Sequence, residues 1–108
     1  MPGYLLIESR DPFESTGAAR TCELAMQLRE AGHEVALFLV QNGVLAVRSG
    51  AHRAELDKVI ATRIEVLADD FSLRERGISA ASLIAGVRSA PIDSIVERMT
   101  AGWKALWH

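Results

Sequence analysis

Residues 35–40 read VALFLV, which is the longest uninterrupted apolar run in the chain. β-Branched and aromatic side chains favour a strand, and an apolar run without polar alternation is typical of a strand covered on both faces. Residues 4–7, YLLI, show the same pattern. Because parallel strands of α/β folds are covered in this way, the two runs predict the first two strands of a parallel sheet.

The segment between these runs predicts a crossover helix that ends at about Ala31. It begins after a stretch of turn and cap formers, in which Ser15 or Thr16 is the expected cap. Leu24, Leu28 and Ala31 recur at helical spacing and form the predicted apolar face. A helix between two strands predicts that the strands are parallel.

The rest of the chain continues this alternation. In chain order it predicts a helix at 51–61, a strand at 64–67, a short helix to about 75, a helical turn and short strand within 79–87, a helix over 91–102 and a last strand at 103–107. The predicted fold is therefore α/β, a small three-layer arrangement in which helices flank both faces of a mostly parallel sheet of about five strands. Residues 1–108 are expected to form one domain, because two cores would leave both halves too small.

Charge and composition exclude several classes of partner. The formal net charge is −2, and the Lys and Arg residues are scattered, which argues against nucleic acid and anionic membranes as partners. The longest apolar run is far shorter than the roughly 20 residues that a membrane-spanning helix needs. The one cysteine, Cys22, excludes an internal disulfide, and no secretion signal is evident, so a cytoplasmic location is predicted.

Polar residues follow each of the first three predicted strands. Ligands of open parallel sheets bind outside the carboxyl ends of the strands, so these loops predict a binding crevice. The predicted crevice residues are Ser9, Arg10, Asn42, Gly43, Asp69, Asp70 and Arg76. The alternative is purely local, because Ser, Asn, Asp and Gly also favour turns and caps.

The adjacent Asp69 and Asp70 offer oxygen ligands to a hard divalent cation if Glu8 or Asp11 approaches from the neighbouring loop. Helix capping by one aspartate is the favoured interpretation. The histidines are isolated, and no zinc or nucleotide motif is present, so neither a metal nor a cofactor is predicted. No catalytic residue is predicted.

Two residue types outside the loops bear on function. Cys22 lies within the first helix rather than at its amino end, which favours a buried structural thiol. Of Trp103 and Trp107, one is expected in the core and the other at an interface. A small sheet with an uncovered edge strand is itself a reason to associate.

Four segments together resemble the DsrE/DsrF/DsrH-like sulfur-relay family. They are residues 4–7, 28–35 (LREAGHEV), 42–44 (NGV) and 68–78 (ADDFSLRERGI), in an order and spacing that span most of the chain. The resemblance implies a small α/β fold in a family whose members often form trimers, hexamers or mixed oligomers. It therefore implies a homo-oligomer, or a hetero-oligomer with related subunits.

Persulfide-carrying members of that family have a cysteine after the third strand, just ahead of an Arg-Gly pair like Arg76-Gly77. Counting back from this pair places Asp69 at or near the cysteine position, and a carboxylate cannot hold a persulfide. The resemblance then implies a noncatalytic scaffold or partner-binding subunit. Two alternatives remain open: a magnesium-dependent phosphoacceptor domain using Asp69 or Asp70 with Lys104, and a small-molecule binding module using the same crevice.

Overall fold

The computed structural model describes residues 2–11, 16–49 and 54–108. The strands are β1 (Tyr4–Glu8), β2 (Val35–Leu39), β3 (Glu65–Asp69), β4 (Val87–Ala90) and β5 (Lys104–Trp107). The helices are α1 (Gly17–Glu30), α2 (Ala54–Ala61), α3 (Asp70–Glu75) and α4 (Asp93–Thr100), with 3₁₀ helices at Gln41–Val47 and Ala80–Ser82. Residues 51–53 of the second predicted helix lie outside the described residues.

The five strands form one sheet in the order β4-β3-β2-β1-β5, and every pairing between them is parallel. Tyr4 of β1 is in register with Val35 of β2 on one side and with Lys104 of β5 on the other. The predicted α/β fold with helices on both faces of the sheet is confirmed. Within the described ranges, no helix is both long and apolar enough to cross a membrane.

The two faces of the sheet carry separate cores because side chains alternate along each strand. Leu6 and Leu37 point to one face, where they pack in a cluster with Cys22 of α1 and Leu56 of α2. The opposite face carries Leu5, Ile7, Ala36 and Phe38, and its cluster includes Ile95 of α4. Helix α4 leads from the edge strand β4 to the other edge strand β5, so it crosses the central strands.

Side chains also fasten α4 to the sheet. Arg98 of α4 forms an ion pair with Glu65 of β3, and Glu65 also pairs with Arg88 of β4. The guanidinium carbon of Arg98 lies 5.2 Å from the centroid of the Trp103 ring, a cation–π arrangement. Trp103 is half-buried against the α4 face of the sheet, whereas Trp107 is 63% exposed, as expected for one core and one surface tryptophan.

The predicted apolar face of the first helix is wrong by part of a turn. The buried residues of α1 are Ala18, Cys22 and Ala25, whereas Leu24 is 38% exposed. Small side chains on the inner face allow the helix to lie close to the sheet, so the larger leucines are displaced to its flanks. Thr16 precedes α1 without a side-chain capping hydrogen bond.

Two further local predictions differ from the structure. Residues 41–47 form a 3₁₀ helix rather than a loop, since Gly43 N donates to the carbonyl oxygen of Val40 at 2.9 Å. The fourth strand lies at Val87–Ala90, later than the short strand predicted within 79–87.

Candidate functional site

The carboxyl ends of β1 and β5 meet where the topology changes direction. From β1 the chain proceeds to β2, β3 and β4, and α4 then returns it to the free side of β1. Helix α1, which follows β1, and helix α4, which precedes β5, lie on opposite faces of the sheet. Such a switch point leaves a crevice outside the strand ends, where ligands of open α/β sheets bind.

Glu8 ends β1 at this point, and its side chain is only 3% exposed. Its Oε2 accepts a hydrogen bond from the backbone N–H of Arg10 at 2.8 Å. Nδ1 of His108 lies 2.8 Å from Oε1 and 3.0 Å from Oε2 of Glu8. A buried carboxylate is costly unless it has such partners, and these two satisfy part of its capacity.

Backbone hydrogen bonds hold His108 beside Glu8. His108 N donates to the carbonyl oxygen of Ile7 at 2.8 Å, and its own carbonyl oxygen accepts from Ser9 N at 2.9 Å. The Ser9 hydroxyl donates to the same carbonyl at 2.9 Å. The parallel pairing of β1 and β5 thus extends one residue beyond β5, and this extension positions the imidazole.

A cavity of about 380 Å³ opens beside Glu8, between the first turns of α1 and α2. The polar side chains in its lining are Glu8, Arg10, Thr16, Thr21 and Glu55. The remaining lining residues are small or apolar: Ala18, Ala19, Cys22, Leu37, Leu39, Gly43, Ala46 and Leu56. The cavity therefore combines an apolar body with a few charged groups, as small-molecule sites do.

Cys22 contributes its thiol to this cavity while remaining 9% exposed. Burial, and after it the carboxylates of Glu55, Glu8 and Glu23, together raise the pKa of the Cys22 thiol to about 11. The expected buried thiol is therefore present, and it packs in the core cluster while also lining the cavity. Its surroundings favour the protonated form.

Asp69 lies in a second polar cluster, at the end of β3. Its Oδ2 accepts from Ser72 N at 3.0 Å and from the Ser72 hydroxyl at 2.6 Å, so Asp69 caps α3 as predicted. The Ser72 oxygen in turn accepts from Gln41 N at 2.8 Å. Asp69 Oδ1 is buried and has no hydrogen-bond partner among the described residues.

Arg76 and Asn42 belong to the same cluster. Asn42 Oδ1 accepts from Arg76 Nε at 3.2 Å and from Arg76 Nη2 at 3.0 Å, while Arg76 Nη1 donates to the carbonyl oxygen of Ser72. These bonds tie the 3₁₀ helix at 41–47 to the end of α3. Asp70 points elsewhere and lies 3.9 Å from Arg74 on the same helix.

Gly43 brings the 3₁₀ helix against the end of β1. A Cβ atom at this position would lie 2.4 Å from the carbonyl oxygen of Glu8, closer than real Cβ contacts. Only glycine allows this approach without a backbone shift. Gly43 therefore helps to form the wall of the cavity next to Glu8.

The predicted crevice is thus divided in two. Arg10 and Gly43 line the cavity, and Ser9 positions His108 beside it. Asn42, Asp69 and Arg76 form the separate cluster around Ser72, which does not line the cavity, and Asp70 lies outside both. Sequence reasoning missed Glu55 in the cavity lining and the contact of His108 with Glu8, which no motif marks.

The proposed ligands for a cation do not converge. The described residues contain no group of three or more His, Cys, Asp and Glu side chains that could hold a metal ion. Lys104 pairs with Tyr4 at the amino end of the sheet, whereas Asp69 lies at its carboxyl end. Lys104, the distant cation of the phosphoacceptor alternative, therefore lies at the other end of the sheet from Asp69.

Comparisons with known proteins agree with this architecture. The YchN protein from E. coli has a solved structure that is 23% identical, covers all of both chains and superimposes with a TM-score of 0.89. MTH1491 from Methanobacterium thermoautotrophicum, a protein of unknown function, is 18% identical over 99% of this chain and 98% of its own, with a TM-score of 0.75. At these identities the likeness establishes the fold alone. No functionally curated protein matches the chain by sequence.

The sequence signature of the DsrE/DsrF-like family matches residues 3–107. This range contains the whole sheet, both polar clusters except His108, and the cavity. With the match extending over nearly the full chain and the fold shared with solved structures, this protein belongs to the DsrE/DsrF-like family.

Proposed function

We propose that this chain is a noncatalytic DsrE/DsrF-like subunit, which contributes assembly and partner binding to an intracellular sulfur relay. The observation that carries the proposal is the chemistry at the end of β3. Persulfide-carrying relatives present a cysteine there, whereas this chain has Asp69, whose carboxylate caps α3 through Ser72. A carboxylate engaged in this way offers no sulfur atom for transfer.

Cys22 does not replace the missing cysteine. With a pKa of about 11, roughly one thiol in 10⁴ is a thiolate at pH 7, about 100-fold less than at the ordinary value of 9.0. The thiolate is the nucleophile in sulfur exchange, so this shift suppresses reaction with a sulfur donor. Cys22 also lies on α1, on a different element from the polar cluster at Asp69.

Exposed apolar side chains support the assembly role. Ile92, the N-cap residue of α4, recurs at helical spacing with Val96 and Met99 of the helix, and each is about half exposed, while Ile95 faces the sheet. We call these three residues the α4 apolar row. Exposed apolar patches of this kind mark interaction surfaces. The occupant we propose is a second copy of the chain, because a two-fold axis beside α4 would place the row against itself.

Native mass spectrometry and sedimentation velocity of the full chain test the assembly role. We expect an oligomer whose dissociation constant rises at least about tenfold in Val96→Glu, because a buried unpaired charge opposes association. Ala85→Glu is the matched control, since it adds the same charge at an exposed position outside the row. A wild-type chain that stays monomeric at all concentrations, or equal association of both variants, would refute the proposal.

Mass spectrometry after incubation with a polysulfide donor tests the noncatalytic role. The folded chain is expected to gain no sulfur atom at pH 7, whereas the same chain unfolded in urea is expected to gain one on Cys22. A stable adduct on the folded chain would overturn this part of the proposal and assign sulfur transfer to the cavity.

A further inference from the structure

We infer that the cavity beside Glu8 binds a small organic cation, a primary ammonium group carried on a short apolar chain. This site is distinct from the α4 apolar row, and it makes no use of the cluster around Asp69. The inference is therefore independent of the proposed assembly role.

The size and walls of the cavity set the kind of ligand. Its volume of about 380 Å³ is at the lower end of the range of roughly 300–1,000 Å³ found for small-molecule sites. Leu37, Leu39 and Leu56 supply an apolar wall, against which burial of an alkyl chain is favourable. The site thus fits a compact ligand with an apolar body.

The charges of the cavity set the sign of the ligand. Its lining contains two carboxylates, Glu8 and Glu55, and one guanidinium, Arg10. The Glu8 carboxylate is nearly fully buried, and a carboxylate has about four acceptor positions, of which Arg10 N and His108 Nδ1 use only part. An ammonium group can donate to the remaining positions and compensate the buried charge.

Two other groups in the cavity are suited to the same ligand. The Thr21 hydroxyl donates its hydrogen to the carbonyl oxygen of Gly17 at 3.1 Å, which leaves its lone pairs to accept from an ammonium. The pKa of the Cys22 thiol is raised by burial and by the Glu55 and Glu8 carboxylates, so the potential at that wall disfavours an anion. Burial disfavours either charge there, but the negative potential of the Glu55 and Glu8 carboxylates favours a cation over an anion.

Titration of the full chain with n-butylammonium chloride, followed by amide chemical shifts, tests the inference. We expect saturable shifts at Cys22 and Gly43, with binding at least about tenfold tighter than that of n-butanol, and no saturable shift with n-butyrate. Equal binding of the alcohol, preference for the carboxylate, or no saturation by n-butylammonium would overturn the inference.

Variants locate the ammonium group. Glu55 is exposed, so Glu55→Gln should keep the fold while weakening n-butylammonium about tenfold, with n-butanol unaffected. Glu30→Gln removes a carboxylate at the opposite end of α1 and is the control, for which binding is expected to be unchanged. Ala19→Leu fills the cavity and should abolish binding of both probes. Wild-type affinity in Glu55→Gln or in Ala19→Leu would place the ligand elsewhere and refute the assignment.

Discussion

Alkylation of Cys22 as a function of pH gives the sharpest test of its environment. At pH 8, a thiol with a pKa of about 11 is about 0.1% ionised, against about 10% for the ordinary value of 9.0. The folded chain should therefore react with iodoacetamide about 100-fold more slowly than a free thiol. Its rate should rise about tenfold for each pH unit up to roughly pH 10, because only the thiolate reacts.

The assay is the quenched time course of carboxamidomethylation by mass spectrometry, on the folded chain and on the chain in urea. Restricted access to the thiol lowers the alkylation rate by the same factor at every pH. A raised pKa instead moves the midpoint of the pH–rate profile, so the assay distinguishes the two causes of slow reaction. Glu55→Gln removes the charge that raises the pKa most after burial itself, and it should move the midpoint down by a fraction of a unit. Glu30→Gln should leave the midpoint in place.

A midpoint at or below pH 9 in the folded chain would refute the reasoning. So would a folded rate at pH 8 equal to the rate in urea, because both results require a thiol that is neither desolvated nor surrounded by carboxylates. Either result would also remove the electrostatic support for an ammonium ligand in the cavity.

Three predictions concern stability. Gly43→Ala should lower the free energy of unfolding in urea by about 3 kcal/mol, because the added Cβ would meet the backbone of Glu8. Gly77→Ala should lower it by only about 1 kcal/mol, because Gly77 has φ +65° but no atom within 4 Å of an added Cβ. Equal losses would contradict the close approach of Gly43 to Glu8. Asp69→Ala should lower the free energy of unfolding by about 1–2 kcal/mol, because α3 loses its cap, whereas Asp70→Ala should lower it by under about 0.5 kcal/mol. A larger loss of thermal stability in Asp70→Ala than in Asp69→Ala would contradict the capping role. The pKa of Cys22 is higher in the folded chain than in the unfolded chain, so its contribution to the free energy of unfolding should be constant below about pH 9 and fall by about 3 kcal/mol as the pH rises through 11. Urea titrations at each pH measure this loss, and Cys22→Ala should not show it.

The fold was largely predictable because its strands are encoded locally. Residues 4–7 and 35–40 are apolar without alternation, which only a strand covered on both faces requires. The inner face of α1 was not predictable by the same reasoning. A stripe through Leu24 is more apolar than one through Ala18 and Cys22, but the sheet accepts the smaller residues because they allow closer packing. Hydrophobicity alone does not measure that fit.

The sequence predicted one crevice at the carboxyl ends of the strands, and the structure distributes its residues between the cavity beside Glu8 and a separate polar cluster at Asp69. Asn42 and Asp69 were placed in the crevice because they follow strands. In the structure Asn42 bonds to Arg76, and both Asp69 and Arg76 bond to Ser72. The contact between Glu8 and His108 joins residues 100 positions apart. It depends on the register of β1 with β5, and no sequence spacing encodes that register.

The pairing of Tyr4 with Lys104 also has a consequence for how the molecule is made. During translation β1 emerges well before β5, the neighbour that covers one of its edges. Until residues 104–107 leave the ribosome, the nascent chain carries a central strand with an unsatisfied backbone edge, which is the feature that invites pairing with other chains. Chaperone engagement of this polypeptide should therefore persist until β5 has emerged and paired with β1.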